Sequence, residues 1–136
     1  MLAGGQDIQC VFFGAGHADG PVRSLAGELG ISDRVTTLGA REDMPALLPG
    51  LDVFALCSAW GEAFSLAVSE AMACGGPCLV TTVGDTAWVI GTTGRVVPPR
   101  QPAALAAPLP NSSPLGGCEA VSRRRRKTAH RFAVLA

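Results

Sequence analysis

Between residues 7 and 107 short apolar runs take turns with segments of helical spacing, and this alternation narrows the fold more than any other feature of the chain. Asp7 to Phe13 (DIQCVFF) is an apolar run ended by Gly14 and Gly16, which reads as a buried strand. Pro21 to Leu29 sets Val22, Leu25, Ala26 and Leu29 at helical spacing, with Pro21 at the start and Gly30 just past the end. Arg34 to Leu38 (RVTTL) is a β-branched strand stopping at Gly39, and Glu42 to Leu48 is a short helix with acidic residues at its N-terminus. Asp52 to Leu56, Pro77 to Thr81 and Gly94 to Val97 read as strands, and Ser65 to Cys74 and Gln101 to Ala107 as helices. Short apolar strands alternating with helices predict the doubly wound α/β class, a parallel sheet covered on both faces.

Composition supports one globular core. The chain has 136 residues, 48% hydrophobic and 16% charged, which excludes a disordered polyelectrolyte. No apolar run approaches the roughly 20 residues a bilayer span needs. The opening MLAGGQDIQ lacks the basic start and apolar stretch of a secretory signal, so a cytoplasmic location is expected. The net charge of zero hides an asymmetry: residues 1–107 carry 5 Arg against 10 Asp or Glu, and residues 108–136 carry 5 Arg and 1 Lys against 1 Glu. The chain is therefore expected to divide into a partial α/β domain over 1–107 and a disordered linker and basic tail over 108–136. The run Arg123 to Lys127 reads first as a solvated charge run, with weak contact to an acidic membrane surface as its functional alternative. Only two Trp and no Tyr leave few stacking platforms, and no specific nucleic-acid partner is expected. Five cysteines (Cys10, Cys57, Cys74, Cys78, Cys118) without a CxxC pair or a spaced His suggest reduced, mostly buried thiols and no metal site.

Candidate chemistry concentrates between Trp60 and Asp85 (WGEAFSLAVSEAMACGGPCLVTTVGD). Ser65 is placed to cap a helix, which would leave the N–H groups of Leu66, Ala67 and Val68 as free donors at the positive end of the dipole. Such a terminus is suited to an anion, and a diphosphate matches it. Glu62, ahead of the terminus, and Glu70, inside the helix, can offer carboxylate oxygens to sugar hydroxyls on either side of that diphosphate. The plain alternative is a solvated loop and a polar helix face.

The stretch resembles the donor-binding core of family 4 retaining glycosyltransferases of the GT-B fold, most closely bacterial enzymes that build cell-surface polysaccharides. The matching residues are Glu62, Phe64, Glu70, Ala71, Met72, Ala73, Cys74, Gly75 and Pro77, flanked by GISDRVTTLG, DMPALLPGLDVFALCS, VGD and TGRVVPP. The resemblance implies a Rossmann-like C-terminal half of a GT-B enzyme that binds a UDP- or GDP-sugar as substrate, with no cofactor and no metal. It implies that Glu62 is the catalytic residue and holds the hydroxyls of the donor sugar. The N–H groups from Phe64 through Ser65 to Leu66 would hold the diphosphate, and Glu70 the ribose. Gly14 and Gly16 resemble the glycine loop beside the donor, and Gly39 to Arg41 the turn against the base. Strand C-terminal ends are also where open α/β sheets bind ligands.

Ala63 and Ser65 stand where this family usually has Gly, or Gly or Pro, and Gly76 where it has an apolar residue. The family's first strand of this half, its following loop with Arg and Lys, and an N-terminal domain for a saccharide or lipid-linked acceptor have no counterpart in the sequence. The chain is thus identified as a truncated piece of such an enzyme, with an inactive remnant or interaction module as the alternative. In an order 3-2-1-4-5-6 the absent strand is central, so a gap or a direct pairing is expected between the strands at Asp7 to Phe13 and Asp52 to Leu56. Gly14-Ala-Gly16-His17-Ala-Asp-Gly20 has GxGxxxG spacing, which is weak evidence for a dinucleotide site, and His17 reads as a loop residue.

Overall fold

A computed structural model describes residues 8–15, 20–61, 65–107 and, for the main chain alone, 130–135. The elements run β1 (Ile8–Phe13), α1 (Pro21–Glu28), β2 (Val35–Thr37), α2 (Met44–Leu47), β3 (Val53–Leu56), α3 (Leu66–Ala73), β4 (Cys78–Thr81), α4 (Thr86–Ile90), β5 (Arg95–Val97), α5 (Pro102–Ala106) and β6 (His130–Leu135). Single 3-10 turns at Ser32–Arg34 and Leu48–Gly50 lead into β2 and out of α2. Each strand and helix read from the sequence up to Ala107 is present within two residues at either end, a margin set by how helix ends fray.

The strands form one parallel sheet in the order β2-β1-β6-β3-β4-β5. Counting β6 as the first strand turns this into 3-2-1-4-5-6, the order shared by many doubly wound sheets. The α/β class is therefore as expected, but the break at the sheet centre does not occur. β6 lies between β1 and β3 and pairs in parallel with both, from Ile8↔His130 to Phe13↔Leu135 on one side and from Val53↔Phe132 to Leu56↔Leu135 on the other. The expectation that residues 108–136 form a disordered tail is corrected for its last part. Two inner strand edges with unpaired donors and acceptors offer a ladder to any extended apolar segment within reach, and HRFAVL supplies it. Residues 108–129, with the Arg123 to Lys127 run, lie outside the described residues.

Alternation along the strands sends side chains to opposite faces. On one face Phe13, Phe54, Leu56, Cys78 and Val80 pack with Leu48, Val68, Ala71 and Ile90, so α2, α3 and α4 cover that side. On the other, Ile8, Val53, Ala55, Leu79 and Val97 pack with Ala104 and Leu105 of α5. The apolar stripe read for α1 is only partly used: Ala26 is buried, but Leu25 and Leu29 are 54% and 57% exposed. Periodicity names the apolar face of a helix without saying whether a neighbour covers it.

Helix ends explain two small residues in the EAMACGG stretch. The Gly75 N–H donates to Met72 O at 2.9 Å and the Gly76 N–H to Ala71 O at 3.0 Å, a Schellman closure of α3. A Cβ on Gly76 would sit 3.3 Å from Ala71 O, so the glycine found there in place of an apolar residue fits the turn. Gly94 is tighter still: a Cβ would lie 2.3 Å from Ile90 Cδ1 and 2.5 Å from Cys78 O. Because the carbonyl belongs to β4 and cannot yield, Gly94→Ala is expected to destabilise the fold by about 1–3 kcal/mol. Urea unfolding of the purified variant checks this, and an unchanged midpoint would show that the β4–β5 junction is looser than described.

Candidate functional site

All six strands point the same way, so every strand C-terminus opens on one edge of the sheet. Gly14 follows β1 there, Gly39 follows β2, Cys57 to Gly61 follow β3, Thr82 to Asp85 follow β4 and Pro98 to Arg100 follow β5. The order reverses between β6 and β3, the switch point at which doubly wound sheets form a crevice.

Two glycines singled out from the sequence meet on this edge. The Gly14 N–H donates to Gly39 O at 2.9 Å, and the Leu38 N–H donates to Phe12 O at 2.9 Å, so the turns after β1 and β2 are clasped together. Gly14 has φ 125° and Gly39 φ 65°, conformations that a side chain would strain. Arg41, read as part of the base-side turn, is otherwise engaged: its Nε donates to Asp43 Oδ1 at 2.7 Å and its terminal nitrogen to Asp43 Oδ2 at 2.5 Å. That bidentate pair, hydrogen bonding first and charge second, raises the Arg41 pKa. The bond from Arg41 likewise holds the Asp43 carboxyl below its usual range.

Ser65 caps α3 as the sequence predicts. Its main chain is extended (φ −89°, ψ 103°) and its Oγ accepts from the Val68 N–H at 3.4 Å. The Val68 donor is therefore already used, which corrects the set of free donors to Leu66 and Ala67 among the described residues. Ser65 is 5% exposed and Val68 fully buried, whereas Leu66 is 69% exposed at the mouth of the helix. Glu70 stands exposed on α3, in its second turn. Gly16, His17, Glu62 and Phe64 lie outside the described residues. Removing the cap with Ser65→Ala is expected to cost about 0.5–2 kcal/mol, toward the lower end given the length of the bond. Thermal or urea unfolding checks it, and a cost above that range would mean that the buried hydroxyl has a further role.

Sequence reasoning missed the residues that brace this edge. The Thr81 hydroxyl lies 2.6 Å from Ser58 O and can donate to it, tying the end of β4 to the loop after β3. The Thr86 hydroxyl sits 2.6 Å from Thr81 O and 2.7 Å from Val83 O, fixing the turn that opens α4. Both threonines are buried. Trp60, 73% exposed, carries the Arg100 guanidinium 5.2 Å from its ring centroid, so the loops after β3 and β5 meet across the end of β4. Arg100 has φ 58°, a left-handed conformation for a residue with a side chain. No local pattern signals the Thr81–Ser58 and Trp60–Arg100 contacts, whose partners are 23 and 40 residues apart.

Cys78 is buried, and Cys10, Cys57 and Cys74 are half-buried, fewer fully buried than expected. Burial, then the neighbouring Cys10, pushes Cys57 up to about 11, so it stays protonated at neutral pH. Among the described residues no three His, Cys, Asp or Glu side chains gather as metal ligands, and no helix is long and apolar enough to cross a membrane.

Residues 2–110 match the family described as "Glycosyl transferases group 1". N-acetyl-alpha-D-glucosaminyl L-malate synthase of Bacillus anthracis is 39% identical over 90 residues, covering 65% of this chain and 23% of that protein. D-inositol 3-phosphate glycosyltransferase of Salinispora tropica is 38% identical over 104 residues, covering 74% of this chain and 21% of that protein. The chain thus spans 18–23% of the length of such curated relatives. Among solved structures, Anabaena Alr3699/HepE in complex with UDP superposes with a TM-score of 0.69 at 25% identity, over 86% of this chain and 35% of that one. The same protein with UDP-glucose gives 0.67 at 26% identity. Sucrose-phosphate synthase of Thermosynechococcus elongatus shares the fold, with a TM-score of 0.67 at 24% identity, over 86% of this chain and 41% of that one.

Proposed function

Because the chain belongs to the group 1 glycosyl transferases, we propose that it forms the donor-binding part of such an enzyme and holds a nucleotide sugar for retaining hexosyl transfer in polysaccharide or glycoconjugate synthesis. The observation that carries this reading is the Ser65-capped start of α3 at the edge where the strand order reverses. There the Leu66 and Ala67 N–H groups and the positive end of the helix would receive the diphosphate. Preorganised donors of this kind act most where charge builds up, and the departing diphosphate gains charge as the sugar bond breaks.

The clasped Gly14 and Gly39 turns support a nucleotide lying along the ends of β1 and β2, with no side chain between it and the main chain. Glu70 would take the ribose hydroxyls and Glu62 the sugar hydroxyls. Arg41, paired with Asp43, would border the base as part of a fixed, net-neutral turn and not as a free cation. The Anabaena neighbour holds UDP and UDP-glucose, which favours a uridine donor. The acceptor, a saccharide free or lipid-linked, would be brought by a further domain.

Calorimetric titration with UDP, UDP-glucose and GDP tests the reading. Saturable binding of a uridine nucleotide, tighter than GDP, is the expected result. No binding of either nucleotide at millimolar concentration would sink it and favour a remnant that keeps the shape without the ligand.

A further inference from the structure

The loop after β3 is tied down twice by residues far along the chain. Ser58 O accepts from the Thr81 hydroxyl at 2.6 Å, and the Trp60 ring carries the Arg100 guanidinium 5.2 Å from its centroid. These anchors fix the loop and still leave its largest side chain open to solvent, with Trp60 73% exposed. Arg100 is set apart in its own way. Among the described residues it alone combines a side chain with a positive φ, 58°, and it has no carboxylate partner. Side chains held in that conformation persist where the surroundings over-determine them, and they cluster at ligand sites. The pair therefore offers a fixed, bare aromatic face beside a cation whose N–H donors are not spent on an acid.

We propose that Trp60 and Arg100 form the seat for the hexose of the nucleotide-sugar donor, the indole taking the C–H face of the ring and Arg100 donating to its hydroxyls. The inference rests on the donor-binding reading and extends it to residues that no motif marks. Sheet order supports the placement. The turns after β1 and β2, assigned to the nucleoside, lie on one side of the α3 start. α3 packs on β3 and β4, and Trp60 meets Arg100 across the end of β4, on the other side. A nucleotide sugar runs nucleoside, diphosphate, hexose in that order, so a diphosphate at the α3 start directs its hexose toward the pair. A hexopyranose has C–H groups on its face and hydroxyls around its rim, and an apolar wall with a few placed polar groups matches that division. A bare anion would engage Arg100 and leave the indole unused.

The chain has two tryptophans, so Trp88→Phe leaves Trp60 as the sole indole and makes its fluorescence a contact probe. In that variant UDP-glucose should shield Trp60 from acrylamide quenching, saturating with the ligand, and UDP alone should not. By calorimetry Trp60→Ala should weaken UDP-glucose roughly three- to tenfold, the scale of one aromatic contact, and leave UDP unchanged. Trp60→Phe should keep most of the affinity, and Arg100→Ala should lose UDP-glucose affinity without losing UDP. UDP binding with no shielding by UDP-glucose overturns the proposal and leaves the donor-binding reading standing. Shielding by UDP alone gives the indole to the base and also overturns it. Binding of neither ligand overturns both readings together.

Discussion

Phe54→Ala is expected to remove about 3–5 kcal/mol of stability, the range for truncating a large aromatic in a packed core. Phe54 is 1% exposed in β3 and packs with Phe13, Leu56, Val68 and Ile90 beneath α3. Its main chain is equally committed, with its N–H donating to Pro77 O at 2.9 Å and its register facing Cys78 on one side and Ala133 on the other. The void could not close by collapse, because both flanking strands are fixed by their own ladders. Small domains have only about 5–15 kcal/mol in total, so the variant should lose about a fifth or more of its stability, with the melting temperature falling by about 10 °C or more. Trp88→Ala is the control: Trp88 is 82% exposed, and the change should stay within about 0.5 kcal/mol. Equal losses from the two variants would show that the packing around β3 is not the core described.

The alternation of strands and helices was legible because each element is local: DVFAL and PCLVT carry their own apolar runs, and glycines mark their ends. α4 was not legible, since five residues are too few to show a period; its start depends on the Thr86 hydroxyl bonding the turn before it. β6 could not be placed from sequence for a different reason. An apolar segment such as HRFAVL can be read as a strand, but its neighbours are over 70 residues away in the chain, and sheet order is a property of those distant pairings. The candidate site divides in the same way. Ser65 and the strand-end glycines follow local rules of capping and turn geometry, and the structure has them in those roles. The Arg41–Asp43 pair and the threonine clasp depend on which side chains happen to meet, which no spacing rule encodes.

Glu70→Gln separates ligand binding from folding. Glu70 is exposed in the middle of α3, with no hydrogen-bond partner for its carboxylate among the described residues, so the swap should leave unfolding unchanged within about 0.5 kcal/mol. Glutamine keeps the shape and one acceptor oxygen but loses the charge. Hydrogen bonds to a charged acceptor contribute about 1.5–3 kcal/mol, which corresponds to a weakening of nucleotide binding of roughly 10- to 100-fold. The residue stands about 7.5 Å along the helix axis from the Ser65 cap, at 1.5 Å per residue, so a diphosphate on Leu66 and Ala67 would leave the ribose within its reach. Glu62→Gln gives the complementary pattern: near-normal affinity for UDP and a weakened UDP-glucose, because its proposed hydroxyl partners belong to the sugar. Calorimetry of both variants with both ligands reads the two roles independently. Unchanged UDP affinity in a folded Glu70→Gln chain would remove the ribose assignment. Equal losses for UDP and UDP-glucose in Glu62→Gln would show that this carboxylate acts on the nucleotide and not on the sugar.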